Sequence, residues 1–279
     1  MTDTDFRARS YELWERMAAG WDRDRQWMWE LSRPVGEWMV EALDPQPGQT
    51  ILELAAGAGD TGFLAAARVG DDGRLISTDF APGMVESARA ESERLGLRNV
   101  EHRQLDAEEM DLPDRSVDGV LCRWGYMLLG DPEAAFRETK RVLSEGGAVA
   151  FSVFAAPEAN PWASVPGRLL VEVTGGPPPD PTAPGIVAMG DPERTRFLLG
   201  AAGLEVKRME DVPMTWSFDD FEGYWSYLTE LAGALAVRIA ALDADQEQAL
   251  RSRLEEAVEP YRSESGYAIP GLTQNTLAA

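Results

Sequence analysis

The chain has 279 residues, 44% of them hydrophobic, enough for one large domain with appended elements. Its 48 acidic against 26 basic residues give a formal charge of -22, which repels phosphate backbones and anionic membranes and argues against nucleic-acid and membrane partners. Its one cysteine, Cys122, forbids an intrachain disulfide and fits a reducing, cytoplasmic setting, while one histidine and no close His/Cys spacing argue against zinc, and no metal site is expected.

The N-terminus, MTDTDFRARSYELWERM, is charged and lacks the apolar core of a signal peptide, and no apolar run is long enough to predict a transmembrane helix. Tyr11, Leu13, Trp14 and Met17 recur at roughly helical spacing, so the chain opens as helix. Trp21, Trp27, Met28 and Trp29 follow, and Pro34–Leu43 reads as another helix stopped by DPQPG. From Thr50 the pattern changes. TILEL is a strand, Asp60–Val69 a helix, GRLISTDF a strand, Pro82–Gly96 a helix and NVEHRQLD a strand. SVDGVLCRW, a helix over Asp131–Leu143, and the strand GGAVAFSVF continue the alternation, which predicts a parallel sheet with helices on both faces. After Phe154 it lapses. VTGGPPPDPTAPG is too rich in Pro and Gly for helix or strand, so residues 156–190 are expected to be a long loop or lid. A helix over Asp191–Ala202, capped by Asp191 and ended by Gly203, leads to a sixth strand, LEVKRMEDVPMTWSF. Helices are expected from Asp219 to about Tyr261, and the tail GYAIPGLTQNTLAA as a last strand.

The stretch ELAAGAGDTG carries Gly57, Gly59 and Gly62, a literal G-x-G-x-x-G that by itself reads as a dinucleotide site. A strand–loop–helix of this kind turns tightly, lets backbone approach a ligand and aims helix N–H groups at it. Glu53, four residues before the first glycine, changes the reading. A carboxylate there suits an ammonium group and repels a pyrophosphate, so it favours S-adenosylmethionine over NAD. Asp60 reads as a helix cap, and Gly62 as an early helix residue that lets helix and strand pack closely. Asp79, at the end of the second strand, stands at the distance in sequence that suits ribose hydroxyls, which both cofactors carry. Asp106, after the third strand, is placed to accept from an adenine amino group or to cap a helix.

Taken together, ILELAAGAGDTG, ISTDFAPGMVESAR and QLDAEEMDLPDRSVDGVLCRWGYMLLGDPEAAFRETKRVLSEGGAVAFSVF resemble the successive motifs of class I S-adenosylmethionine-dependent methyltransferases. The resemblance runs from about Pro34 to Phe154 and is nearest to the small-molecule branch of ubiquinone/menaquinone-biosynthesis C-methyltransferases and natural-product enzymes. It implies a Rossmann-like α/β fold, a seven-stranded, mostly parallel sheet whose last strand is antiparallel. It also implies a helical cap over residues 1–45, a cofactor-binding core over 46–155, and the rest of the sheet with inserted helices forming an acceptor pocket over 191–279. The cofactor residues it implies are Glu53, Ala55, Gly57, Gly59, Asp79, Phe80, Met84, Asp106, Ala107 and Arg123. Ala55 stands where the family's first glycine is usual, a departure expected to crowd the methionine end. Trp21, Trp124, Tyr126 and Tyr224 are candidates for acceptor contact, with Tyr227 at helical spacing from Tyr224. His102 reads as a strand-face residue rather than a base, and Cys122 as packing. The function expected is methyl transfer to an oxygen or carbon of a small aromatic, quinone-like or polyketide-like acceptor, by a monomer or homodimer. A non-transferring cyclisation on the same fold and an NAD-dependent oxidoreductase are the alternatives.

Overall fold

The first 43 residues form two helices, α1 (Asp3–Arg23) and α2 (Arg25–Leu43), in a computed structural model that describes residues 3–178 and 180–279, the side chains of residues 3–5 excepted. Met1 and Thr2 of the N-terminal helical cap and Pro179 of the Pro/Gly-rich segment lie outside the described residues. α2 runs through Pro34 instead of starting there. Met28, Ser32, Val35 and Met39 are buried along one face, and their packing holds the helix across a proline that lacks an N–H to give it.

The alternating region follows as β1 (Thr50–Glu53), α3 (Asp60–Val69), β2 (Arg74–Asp79), α4 (Pro82–Arg94), β3 (Val100–Gln104), β4 (Val117–Arg123), α5 (Pro132–Val142) and β5 (Leu143–Phe154). Then come α6 (Pro161–Thr174), α7 (Pro192–Ala201), β6 (Val206–Phe218), α8 (Phe221–Glu230), α9 (Ala234–Ala240), α10 (Ala244–Val258), the two-residue β7 (Arg262–Ser263) and β8 (Gly266–Ala278). The sheet order is β3-β2-β1-β4-β5-β8-β6, with β7 paired to β8. β1, β2, β3, β4 and β5 are mutually parallel, while β8 lies antiparallel between β5 and β6. Seven main strands with an antiparallel last strand are what the family resemblance implies. The chain moves outward from β1 through β2 to β3, then returns to place β4 on the other side of β1. That reversal opens a crevice beyond the carboxyl ends of β1 and β4, where ligands of open α/β sheets bind.

One expectation for 156–190 is corrected: residues 161–174 are helix, not loop. Pro161 takes the first helical position, where its missing N–H costs nothing, and Trp162, Pro166, Leu169 and Leu170 bury one face. Gly175, in the left-handed region at φ 65°, ends the helix, and the described residues that follow form turns and bends. Among the described residues no helix is long and apolar enough to cross a membrane.

Asn160 joins this helix to the sheet. Its Nδ2 donates to the carbonyls of Ala155 (3.1 Å) and Leu272 (3.0 Å), and its Oδ1 accepts from Leu272 N–H (2.9 Å) and Trp162 Nε1–H (3.1 Å). It is 3% exposed, so removing the amide leaves the Leu272 N–H and the Trp162 indole N–H without this acceptor, while the Leu272 carbonyl keeps the Ala155 N–H. Asn160→Ala is predicted to cost about 2–4 kcal/mol in urea unfolding; a change within error would show that β8 holds its place beside β5 without it.

Candidate functional site

The loop between β1 and α3 lies at the crevice. Ala55 (φ 49°), Gly57 (φ 55°) and Gly59 (φ 86°) all take the left-handed backbone region, which costs Ala55 strain and the glycines little. Gly57 N–H donates to Asp79 Oδ2 (2.9 Å), and Ala81 N–H to Asp79 Oδ1 (3.0 Å). Asp79 therefore ties the glycine loop to the start of α4 while standing at the end of β2. Burial raises its pKa, and the backbone donors of Ala81, Gly57 and Phe80 oppose the rise. A side chain built at Gly57 would meet nothing within 4 Å, so this part of the loop faces open space. The crowding expected from Ala55 falls on Gly125, where a Cβ would stand 2.7 Å from the Ala55 methyl group; Gly125 accommodates the departure.

Glu53 lies beneath the loop rather than beside it. It is 2% exposed, accepts Gly62 N–H (2.7 Å) on Oε1 and the Ser77 hydroxyl (3.3 Å) on Oε2. A Cβ on Gly62 would overlap the Glu53 carboxylate, which gives the close helix–strand approach expected at Gly62 a specific cause. Burial pushes the Glu53 pKa up to about 8, against the pull of Gly62 N–H and Arg123. The capping role expected of Asp60 is not seen. Gly59 is the N-cap, the first-turn Gly62 N–H is met by Glu53 of β1, and Asp60 pairs with Arg25 of α2. Arg25 also binds Glu91 (2.5 Å). Arg123 donates through Nε to Thr61 Oγ1 (3.1 Å) and lies 4.8 Å over the Trp124 ring. It forms no ion pair among the described residues; burial lowers its pKa, with Asp60 and Glu53 opposing.

The N-terminal helix covers the other end of the crevice. Arg7 pairs with Asp106, and Tyr11 meets the Phe80 ring edge-on at 5.6 Å. Glu15 accepts Gly83 N–H (2.9 Å), Ala18 packs with Ala81 and Met84, and Asp22 accepts the Ser87 hydroxyl (2.5 Å). Residues 7, 11, 15, 18 and 22 share one face of α1, and that face lies along α4 and beyond the ends of β2 and β3. Trp21 packs beside Met84, its indole N–H without a partner among the described residues. Asp106 also accepts Glu108 N–H (2.9 Å), and Ala107 packs at the edge of the core. Sequence reasoning missed Arg7, Tyr11 and Glu15 as partners of the site. The 7-11-15-18-22 spacing was the available signal.

The expected acceptor residues separate. Trp124 is buried and stacks on Phe154 at 4.9 Å. Tyr126 is fully buried, stacked on Phe136 at 4.1 Å with its hydroxyl bonded to Thr139 (2.6 Å), so an acceptor role is withdrawn: it is a core residue under α5. Tyr224 is also fully buried, and its hydroxyl donates to the Trp162 carbonyl (2.5 Å), so it too is core. A cavity of about 420 Å³ opens beside it, walled by Trp27, Phe218 and Tyr227 with Arg23 and Glu230 among its lining. His102 is bonded to Ser92 (2.8 Å) on β3, and burial pushes the Cys122 thiol up to about 12.

Comparison with known proteins gives the site a context. A family model described as a methyltransferase domain matches residues 45–167. The chain is 32% identical over 152 residues to the aklanonic acid methyltransferase DauC of Streptomyces sp. (strain C5), a match covering 54% of this chain and 68% of that protein. It is 35% identical over 123 residues to the ubiquinone/menaquinone biosynthesis C-methyltransferase of Enterobacter sp. (strain 638), covering 44% of this chain and 49% of that one, so the match spans about half of that relative's length. Among solved structures, the cyclase SpnF aligns over 88% of this chain and 79% of its own with a TM-score of 0.57 at 19% identity, a likeness of fold.

The raised pKa of Glu53 has a consequence for stability. Unfolded, the carboxyl ionises near 4.5; folded, it keeps its proton to about 8. Between these values the folded state binds more protons, so stability falls as pH rises. Relative to Glu53→Gln, the wild type is predicted to lose up to about 1.4 kcal/mol per pH unit across that window. Parallel pH profiles of the two proteins in chemical denaturation would contradict this.

Proposed function

We propose that this chain, which belongs to the class I S-adenosylmethionine-dependent methyltransferases, moves a methyl group from that cofactor to an oxygen or carbon of a small conjugated acceptor. The residues at the crevice fit the cofactor. The loop at Gly57 faces open space at the start of α3. We assign Asp79, at its strand end, to ribose and Phe80, Met84, Asp106 and Ala107 to adenine, with Arg123 and an ionisable Glu53 for the amino-acid end. Bound there, the cofactor supplies an already electrophilic sulfonium methyl, so the chain needs no nucleophile of its own.

What the chain contributes is position and exclusion of water. α1 closes one side of the crevice through Arg7, Tyr11, Glu15 and Asp22. α2 holds the other through Arg25 on Asp60. Holding two reactants in one geometry supplies up to about 7–11 kcal/mol in favourable systems. The conventional bases are elsewhere: His102 is bonded to Ser92, and Cys122 is sealed with its thiol protonated. An acceptor whose reacting atom is acidic by conjugation, a phenol or an enol, suits such a site. The observation that carries this reading is the acid-first loop, Glu53 under Gly62 with Arg123 nearby. The dinucleotide reading of the glycine pattern is set aside by the family match.

A second reading keeps the cofactor site and replaces transfer by a cyclisation. It draws on the fold shared with SpnF and on the single histidine, His102, being bonded to Ser92 on β3. Release of S-adenosylhomocysteine during acceptor turnover separates the two, since a cyclisation leaves the cofactor intact.

The ribose assignment has its own test. Wild-type protein is predicted to bind S-adenosylhomocysteine at least about tenfold more tightly than its 2′,3′-dideoxy analogue in calorimetry, and Asp79→Asn to narrow that gap. An undiminished gap in the variant would remove Asp79 from ribose recognition, whatever it does for the loop.

A further inference from the structure

Tyr224 and Tyr227 lie one helical turn apart on α8 and have different fates. The Tyr224 hydroxyl is spent on the Trp162 carbonyl. Tyr227 is 7% exposed and lines the 420 Å³ cavity, and its hydroxyl has no hydrogen-bond partner among the described residues. Because Tyr227 lines the cavity, its hydroxyl is the one of the two with no carbonyl to give up to a ligand there. A desolvated hydroxyl left unpaired is destabilising, and one kept at a cavity wall is a group available to a ligand.

The rest of the wall describes that ligand. Trp27 lies 5.4 Å from Phe218 and 5.6 Å from Tyr227, ring centre to ring centre, and Phe218 lies 5.8 Å from Tyr227. Three tilted rings offer faces and edges to a flat conjugated molecule. The charged groups at the rim are Arg23, Asp24 and Glu230, with Arg23 bound to both acids. Two acids against one base disfavour an anionic ligand. Trp27 of α2 lines the cavity, while Arg25, two residues earlier and on another face of the helix, holds Asp60 at the start of α3.

We propose that this cavity receives the ring of a neutral, flat, conjugated acceptor and that the Tyr227 hydroxyl bonds a hydroxyl or carbonyl oxygen on it. The assignment rests on the small-molecule methyltransferase reading and names the acceptor class and a specificity residue for it.

The test uses 1-naphthol, with naphthalene as the oxygen-free ring, titrated calorimetrically into the whole protein with and without S-adenosylhomocysteine. Wild type is expected to prefer 1-naphthol by about three- to tenfold, the worth of one neutral hydrogen bond. Tyr227→Phe levels the two affinities while leaving those for naphthalene and S-adenosylhomocysteine unchanged. Tyr224→Phe keeps the preference. Persistence of the preference in Tyr227→Phe overturns the proposal, as does failure of both ring compounds to bind. A preference that depends on Tyr227 in a protein that does not bind S-adenosylhomocysteine would sink the methyltransferase reading and leave the role of Tyr227 standing.

Discussion

A carboxylate buried under a helix N-terminus sets the terms for the rest of this site. Glu53 ends β1 almost fully buried, and its oxygens are met by Gly62 N–H and the Ser77 hydroxyl. The space it fills is space a side chain at position 62 would need, so the helix residue above it is glycine. Removing an ionised carboxyl from water is costly, and the protein meets that cost in part by leaving the group protonated to about pH 8. The acid is therefore a reserve of negative charge under the loop. A cation brought onto the loop would favour its ionised form, and a pyrophosphate would not. This physical asymmetry, more than the count of glycines, separates the loop from a dinucleotide site.

The covering helices follow from the same need to control charge and water at the crevice. α1 brings Arg7 to Asp106, and α2 brings Arg25 to Asp60, so each helix is fastened by an arginine to an acid of the cofactor region. Between those fastenings the contacts are short and polar, Glu15 on Gly83 and Asp22 on Ser87, with Tyr11, Ala18 and Trp21 supplying apolar contact. Where α1 gives way to α2, the chain passes from the cofactor crevice to the aromatic cavity against α8.

Much of the sheet was legible because parallel strands flanked by helices write themselves as short apolar runs punctuated by Gly, Pro and Asp. β1, β2 and β4, the loop between β1 and α3, and Asp79 at its strand end all come from such local signals. The antiparallel last strand came through family resemblance, since nothing in GYAIPGLTQNTLAA states its direction. α6 was hidden because Pro161 and Pro166 look like breakers until the buried face of Trp162, Leu169 and Leu170 is seen. Pro34 misled in the same way. Side-chain direction was the harder problem. Helical spacing put Tyr224 and Tyr227 on one surface but did not say which hydroxyl was already used. A position just past β4 suggested an acceptor role for Tyr126, whose ring turns instead into the core beside Phe136. The pairing of Arg7 with Asp106 spans most of the cofactor core and has no local signature.

The claim on which the account turns is that Glu53 is a buried acid whose ionisation is coupled to an ammonium-bearing ligand on the loop above it. Calorimetric titration of S-adenosylhomocysteine at neutral pH, repeated in buffers of different ionisation enthalpy, counts the protons exchanged on binding. Net proton release by the wild type and its loss in Glu53→Gln are predicted, because the ligand's ammonium group lowers the Glu53 pKa from about 8. The same proton count in both proteins would contradict it.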